Sequence, residues 1–176
     1  MRRRRPFLLA LGLGCWALVL FSATSALAAD VPILRLAGPA QTLTLTAAEF
    51  AALPRTELRA IETHENKERL YSGVTVRELL TRVGAPLGDK MRGPALALGV
   101  LVRTKDDYAV LFYLADFDSA FSTRTLLLAD REDGAAPPAT AAPFRLVAPG
   151  GSRGARWARW ARMVTSIEII SIPVKP

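Results

Sequence analysis

The sequence predicts an α+β fold in which β-strands alternate along the chain with a few short helices. One observation is a series of short runs in which apolar and polar residues alternate at every second position, as in half-buried strands. A second is a pair of T-x-x-E motifs, Thr46 with Glu49 and Thr75 with Glu78, each of which predicts the start of a helix. The predicted strand runs are 33–36, 42–45, 57–64, 95–103, 108–114, 125–129, 144–147 and 164–170.

The chain begins with the features of an export signal. Arg2 to Arg5 precede an apolar run over residues 6–23, and Ala26-Leu27-Ala28 provides the small residues that a signal peptidase requires. The sequence therefore predicts a signal peptide at 1–28, a single domain at 29–176, and a periplasmic or secreted protein. A membrane anchor is the alternative that the length of the apolar run leaves open.

Removal of this signal changes the charge and the chemistry available to the protein. The formal charge of +7 falls to about +3, because four arginines leave with the signal. Cys15, the single cysteine of the chain, leaves as well. The mature protein then has no disulfide, no thiolate metal ligand and no cysteine nucleophile. We expect neither nucleic-acid binding, since no basic module is present, nor membrane association after cleavage.

The two predicted helices differ in length. The first begins at Thr46, directs Phe50 inward and ends before Pro54. The second begins at Thr75 and ends at Gly84, and its apolar residues keep helical spacing. Those residues are Val76, Leu79, Leu80 and Val83.

The runs 95–103 and 108–114 predict a hairpin that turns at residues 105–107. A turn or short helix follows at 115–121. Its carboxylates, Asp116 and Asp118, are interpreted as capping groups, because nothing nearby would separate their pKa values as acid–base catalysis requires.

A glycine- and arginine-rich stretch, the Gly/Arg segment (residues 149–162), follows the strand run 144–147. Its glycines allow backbone N–H groups to approach a ligand, and its arginines supply charge with a forked donor geometry. Together these features indicate a site for phosphate, sulfate or carboxylate. The alternative is a solvated basic face in which Trp157 and Trp160 only anchor the core. The candidate ligand contacts are Gly151, Ser152, Arg153, Gly154, Arg156 and Arg159.

The motifs FRLVAPG (144–150), GARWARW (154–160) and GVTVRELL (73–80) resemble the molybdopterin-binding domain of the sulfite oxidase family. The resemblance extends over about residues 42–170. It implies a mixed β-sheet with short helices and molybdopterin as the cofactor. It also implies that Arg156 binds the cofactor and that Arg159 replaces a lysine usual in the family.

The chain departs from that family at the segment that matches the molybdenum-ligating cysteine. Here the sequence reads Thr63-His64-Glu65-Asn66 and contains no thiol. Since soft thiolate binds and tunes that metal, we predict no thiolate-bound metal. His64, the one histidine, is a candidate ligand contact near the anion site; the alternative is a hydrogen-bonded residue at the end of a strand. A usual family histidine within 130–143 is also absent.

These observations support three functional hypotheses. The first is an exported, oxidoreductase-type domain that binds an anionic pterin or another phosphorylated small ligand without thiolate-ligated molybdenum. The second is a degenerate, non-catalytic module that binds a periplasmic protein partner. The third is an oxidoreductase whose metal is held by the pterin alone.

Overall fold

The computed structural model describes residues 31–62, 65–150 and 158–172, which form two β-sheets with short helices. The first sheet has the strand order β2-β1-β9-β5-β6, and the second has the order β3-β4-β7-β8. The strands are β1 Pro32–Ala37, β2 Thr42–Thr46, β3 Thr56–Ile61, β4 Glu68–Thr75, β5 Leu98–Thr104, β6 Ala109–Tyr113, β7 Leu127–Glu132, β8 Arg145–Val147 and β9 Val164–Ser171. The α-helices are α1 Ala47–Ala51 and α2 Val76–Arg82, and 3₁₀ segments occupy Gly88–Lys90, Gly93–Ala97 and Leu114–Phe117.

The predicted α+β class is confirmed, and the structure refines it to a mostly β protein. The first sheet is mixed, because β1 and β9 run parallel while its other pairs are antiparallel. The second sheet is antiparallel throughout. The sequence predicts one mixed sheet, whereas the structure has two separate sheets.

The inward faces of the strands form one continuous core. In the first sheet Leu36 and Val102 both pair with Ile167, and all three side chains are buried. In the second sheet Val74 pairs with Leu128, again with both side chains buried. The period-2 pattern of the sequence is therefore expressed as one buried face on these strands.

Helix α1 carries the predicted capping box. The Glu49 backbone N–H donates to Thr46 Oγ1 at 3.2 Å, and the Thr46 N–H donates to Glu49 Oε2 at 2.8 Å. Two backbone donors that the helix itself cannot satisfy are thereby paired. Phe50, the inward residue, is buried as predicted.

We expect Thr46→Ala to lower the free energy of unfolding by about 1 kcal/mol, because the helix loses its N-cap acceptor. Urea unfolding followed by circular dichroism measures this change. Thr46→Ser keeps the hydroxyl and serves as the control, with stability close to that of the unmodified protein. Equal losses for the alanine and serine variants would show that the cap contributes nothing.

Helix α2 also begins and ends where the sequence predicts. The Glu78 N–H donates to Thr75 Oγ1 at 3.2 Å, and Gly84 adopts a left-handed φ of +80° after the last turn. The Glu78 carboxylate pairs with Arg82 at 2.8 Å instead of completing a second capping box.

The predicted hairpin is present as β5 and β6, and the two acidic residues after it have structural partners. Asp118 is buried and accepts hydrogen bonds from the backbone N–H groups of Gly88 and Ala120. These two hydrogen bonds, of which the one from Gly88 has the larger effect, lower the pKa of Asp118, although burial acts to raise it. Asp116 pairs instead with Arg159 at 3.2 Å.

None of the helices formed by the described residues is both long enough and apolar enough to cross a membrane. The predicted signal peptide, residues 1–28, lies outside the described residues.

Candidate anion-binding site

Most residues of the predicted site lie outside the part of the chain that the structure describes. Arg159 is described, together with Pro149 and Gly150 at the start of the Gly/Arg segment. The predicted contacts outside the described ranges are His64, Gly151, Ser152, Arg153, Gly154 and Arg156. Their roles stay predictions.

The C-terminal part of the Gly/Arg segment is held by hydrogen bonds to the rest of the domain. The Trp160 Nε1–H donates to the Ala148 carbonyl at 2.8 Å, and the Leu146 N–H donates to the Ala161 carbonyl at 2.7 Å. The Tyr108 hydroxyl donates to the Ala158 carbonyl at 2.7 Å. Trp160 is a buried core anchor, which agrees with the structural interpretation of this tryptophan.

Arg159 faces the protein and already has a carboxylate partner. Its guanidinium lies 4.4 Å from the centre of the Phe112 ring, and Nη2 lies 3.2 Å from Asp116 Oδ2. About a third of the side chain, 35%, is exposed. Arg159 therefore contributes less net positive charge to the site than the sequence suggests.

Arg124 is a cation beside this segment that sequence reasoning did not single out. Gly150 has a φ of +92°, and a Cβ atom there would lie 3.1 Å from Arg124 Cδ. The pairing of Leu127 on β7 with Val147 on β8 brings the two residues together. The sequence around Arg124, FSTRT, has no pattern that would mark it as a site residue. Only the pairing of β7 with β8 shows that Arg124 lies beside Gly150.

A recess lies between the start of the Gly/Arg segment and the end of β3. Its volume is about 230 Å³, and we call it the loop recess. One wall is formed by Pro149, Gly150 and Trp160, and the other by residues 59–61 together with Glu68. Strand β3 ends at Ile61, so the recess lies beside the end of this strand.

The structure also has a network of ion pairs, the buried ion cluster, which includes Glu62 and Glu65. Arg145 Nη2 donates to Glu62 Oε1 at 2.8 Å, and Arg145 Nη1 donates to Glu132 Oε2 at 3.2 Å. Arg69 extends the network to Glu132, Glu65 and Asp133. The guanidinium groups of Arg69 and Arg145 are thus neutralised by carboxylates.

Aromatic rings enclose the Arg145 end of the cluster. The guanidinium carbon lies 5.9 Å from the centre of the Tyr71 ring and 5.6 Å from that of Trp160. The Tyr71 hydroxyl is buried and has no hydrogen-bond partner among the described residues. Burial raises its pKa, so the phenol stays neutral and holds its proton.

The donor chemistry around Glu62 and Glu65 does not fit thiolate-bound molybdenum. The neighbouring side chains are carboxylates and guanidinium groups, which are hard donors or cations, whereas that metal requires soft sulfur. Among the described residues, no group of three or more His, Cys, Asp or Glu side chains is placed to hold a metal ion.

Comparison with solved structures shows what this chain is similar to. No protein-family model matches the chain, and no curated protein matches it. The crystal structure of the sulfane dehydrogenase SoxCD from Paracoccus pantotrophus matches with a TM-score of 0.58 and 19% identity. The match covers 77% of this chain and 37% of that chain. At this identity the likeness establishes the fold, and the present chain spans little more than a third of the other protein.

The geometry identifies a small recess at the Gly/Arg segment and a charge-neutralised cluster next to it. Among the described residues that line the recess, the cation is Arg59, which pairs with Glu68 at 3.7 Å. The cluster neutralises its own charges, so its arginines have little charge to offer a ligand.

Proposed function

We propose that this protein is an exported, molybdopterin-binding-like domain that binds an anionic pterin or another phosphorylated small ligand at the Gly/Arg segment. In this proposal no thiolate holds molybdenum, and the domain has no independent molybdenum redox activity. The ligand would occupy the loop recess, with its anionic group toward residues 151–157.

The observation that carries the proposal is the position of the loop recess. It adjoins Gly150, where the Gly/Arg segment begins, and Trp160, close to where the segment ends. The fold shared with a sulfane dehydrogenase supports the same coarse assignment. So does the sequence resemblance to the molybdopterin domain of the sulfite oxidase family.

Each residue of the proposed site has a role that follows from its chemistry. Backbone N–H groups at Gly151 and Gly154 would donate to the anion, and the Ser152 hydroxyl would add a further donor. Arg153, Arg156 and Arg159 would supply the positive charge, and His64 would close the site from the side of β3.

A second function, a degenerate binding module for a periplasmic protein partner, is favoured by a different observation. The buried ion cluster neutralises Arg145 and Arg69, and Asp116 neutralises Arg159. A pocket whose cations are already paired offers less to a small anion, and such a domain would act through its surface.

The test is the double variant Arg156→Ala/Arg159→Ala, purified from the periplasm beside the unmodified protein. Mass spectrometry of the denatured proteins would detect a bound pterin or phosphate ester, and elemental analysis would detect molybdenum. Because each charge-assisted hydrogen bond contributes about 1.5–3 kcal/mol, losing both arginines should abolish retention of the ligand. The folded state should survive, since Arg159 is 35% exposed and does not belong to the buried core.

The control is Arg92→Ala/Arg103→Ala, which removes the same charge at exposed positions away from the recess. It should retain the ligand. Unmodified protein that carries no ligand, together with a partner captured from the periplasm, would favour the binding-module function. A molybdenum signal with turnover of sulfite would overturn both and support a metal held by pterin alone.

A further inference from the structure

We propose a second anion-binding site, distinct from the Gly/Arg segment, in a cavity between the start of α2 and the residues that lead into β7. The cavity has a volume of about 360 Å³, within the range of small-molecule sites. Its ligand class is a small organic anion that carries an apolar body, such as an aryl phosphate, sulfonate or carboxylate.

The wall of this cavity has an unbalanced positive charge. Arg77 and Arg124 line it, and no carboxylate does. The loop recess, by contrast, has Glu68 facing Arg59, and the cavity at the buried ion cluster has carboxylates beside Arg69 and Arg145. Two guanidinium groups on one concave surface attract an anion that can bridge them.

Neither arginine forms an ion pair with a carboxylate within the described ranges, although the charge of Arg77 helps to lower the pKa of Asp118. Arg77 Nη1 donates to Ser119 Oγ at 2.8 Å, which leaves its other N–H groups available. The Arg124 guanidinium makes no ion pair and no hydrogen bond with the residues that the structure describes. Free donors at this position are ready to bind a ligand without breaking an existing pair.

The rest of the wall fits an amphipathic ligand. Phe117 and Leu126 are buried and present an apolar floor. Serine and threonine side chains surround them, and hydroxyl groups both donate and accept. An apolar body would rest on the floor while its anionic group meets the arginines.

A buried carboxylate nearby does not cancel this charge. Asp118 lies next to Phe117, but its oxygens accept the N–H groups of Gly88 and Ala120, so it faces the backbone. Asp118 offsets one positive charge at most. A net positive charge therefore remains in the cavity.

The test uses isothermal titration of the full mature protein with phenyl phosphate, compared with inorganic phosphate and with phenol. Phenyl phosphate should bind. Inorganic phosphate, which lacks the apolar body, and phenol, which lacks the anionic group, should each bind at least about tenfold more weakly. The variants Arg77→Gln and Arg124→Gln should each lower the affinity for phenyl phosphate about tenfold, as expected for the loss of one charge-assisted hydrogen bond. Methyl and aromatic NMR signals of Leu126 and Phe117 should shift during the titration.

A control variant and the NMR signals separate this site from its surroundings. Arg103→Gln removes an exposed charge on the first sheet and should leave the affinity unchanged. The affinity is read from the NMR shifts of Leu126 and Phe117, which line this cavity and not the loop recess, so failure here is distinguished from failure of the proposed function. The proposal is overturned if the Arg77 and Arg124 variants bind phenyl phosphate as tightly as the unmodified protein. Binding of inorganic phosphate with equal affinity would overturn it as well.

Discussion

Replacement of Arg145 by methionine is expected to lower the free energy of unfolding by about 3–5 kcal/mol, the range measured when a buried ion pair loses one partner. Arg145 is only 7% exposed, and it donates to Glu62 and Glu132, which are 6% and 12% exposed. Without this guanidinium, Glu62 would lose its ion pair with Arg145, and Glu132 would keep Arg69 but lose Arg145, so part of the desolvation of both carboxylates would go uncompensated. The stacking of Arg145 against Tyr71 and Trp160 would also be altered.

Equilibrium urea unfolding, followed by tryptophan fluorescence, measures this loss. The matched control is Arg59→Met, because Arg59 pairs with Glu68 at 3.7 Å and both side chains are more than half exposed, at 67% and 62%. An exposed pair contributes less than about 1 kcal/mol, so the control should change stability little. Equal effects of the two substitutions would mean that the buried ion cluster does not stabilise the fold.

The second large effect is expected for Gly73→Ala, in the middle of the second sheet. A Cβ atom at Gly73 would lie 2.1 Å from the Leu128 carbonyl oxygen and 2.7 Å from the Ala129 Cα. Both atoms belong to the backbone of β7, so the strand itself would have to move. The irregular register between Ser72 and Gly73 is what brings the two strands this close. We expect a loss of at least about 3 kcal/mol, typical of severe overpacking.

Gly99→Ala is the control for this substitution, since Gly99 is also a strand glycine. There the nearest atom is the Leu111 Cδ1 at 2.8 Å, the end of a side chain that is 51% exposed and can rotate away. Thermal unfolding should show a much smaller change for Gly99→Ala than for Gly73→Ala. A Gly73→Ala protein as stable as the Gly99→Ala protein would contradict the close packing of β4 on β7.

Most elements of this fold could be predicted because their signals are local, but strand β4, Glu68–Thr75, was not among the predicted strands. The capping residues Thr46 and Thr75, the stop at Gly84 and the alternating runs all act on neighbouring residues, and each appears in the structure at or near its predicted position. Strand bounds shifted by a few residues; the run 125–129, for example, became Leu127–Glu132.

The partition of these strands into sheets could not be predicted in the same way. Any alternating strand can pair with any other, so periodicity does not say that β9 lies between β1 and β5. Nor does alternation place Arg145 correctly. An arginine in an alternating strand is expected on the solvated face, yet all of β8 is buried, because other parts of the chain cover both of its faces.

The sequence by itself determined most of the secondary structure elements, the absence of cysteine from residues 29–176, and the cationic segment near the C-terminus. Only the tertiary structure decided which of the cations are neutralised. Arg145 meets Glu62 from 83 residues away, and Arg159 meets Asp116 from 43 residues away, whereas Arg77 and Arg124 are left without a carboxylate on the wall of one cavity. The physical reason is that a charge depends on the partners that folding brings within a few ångströms, and those partners lie far apart in the chain.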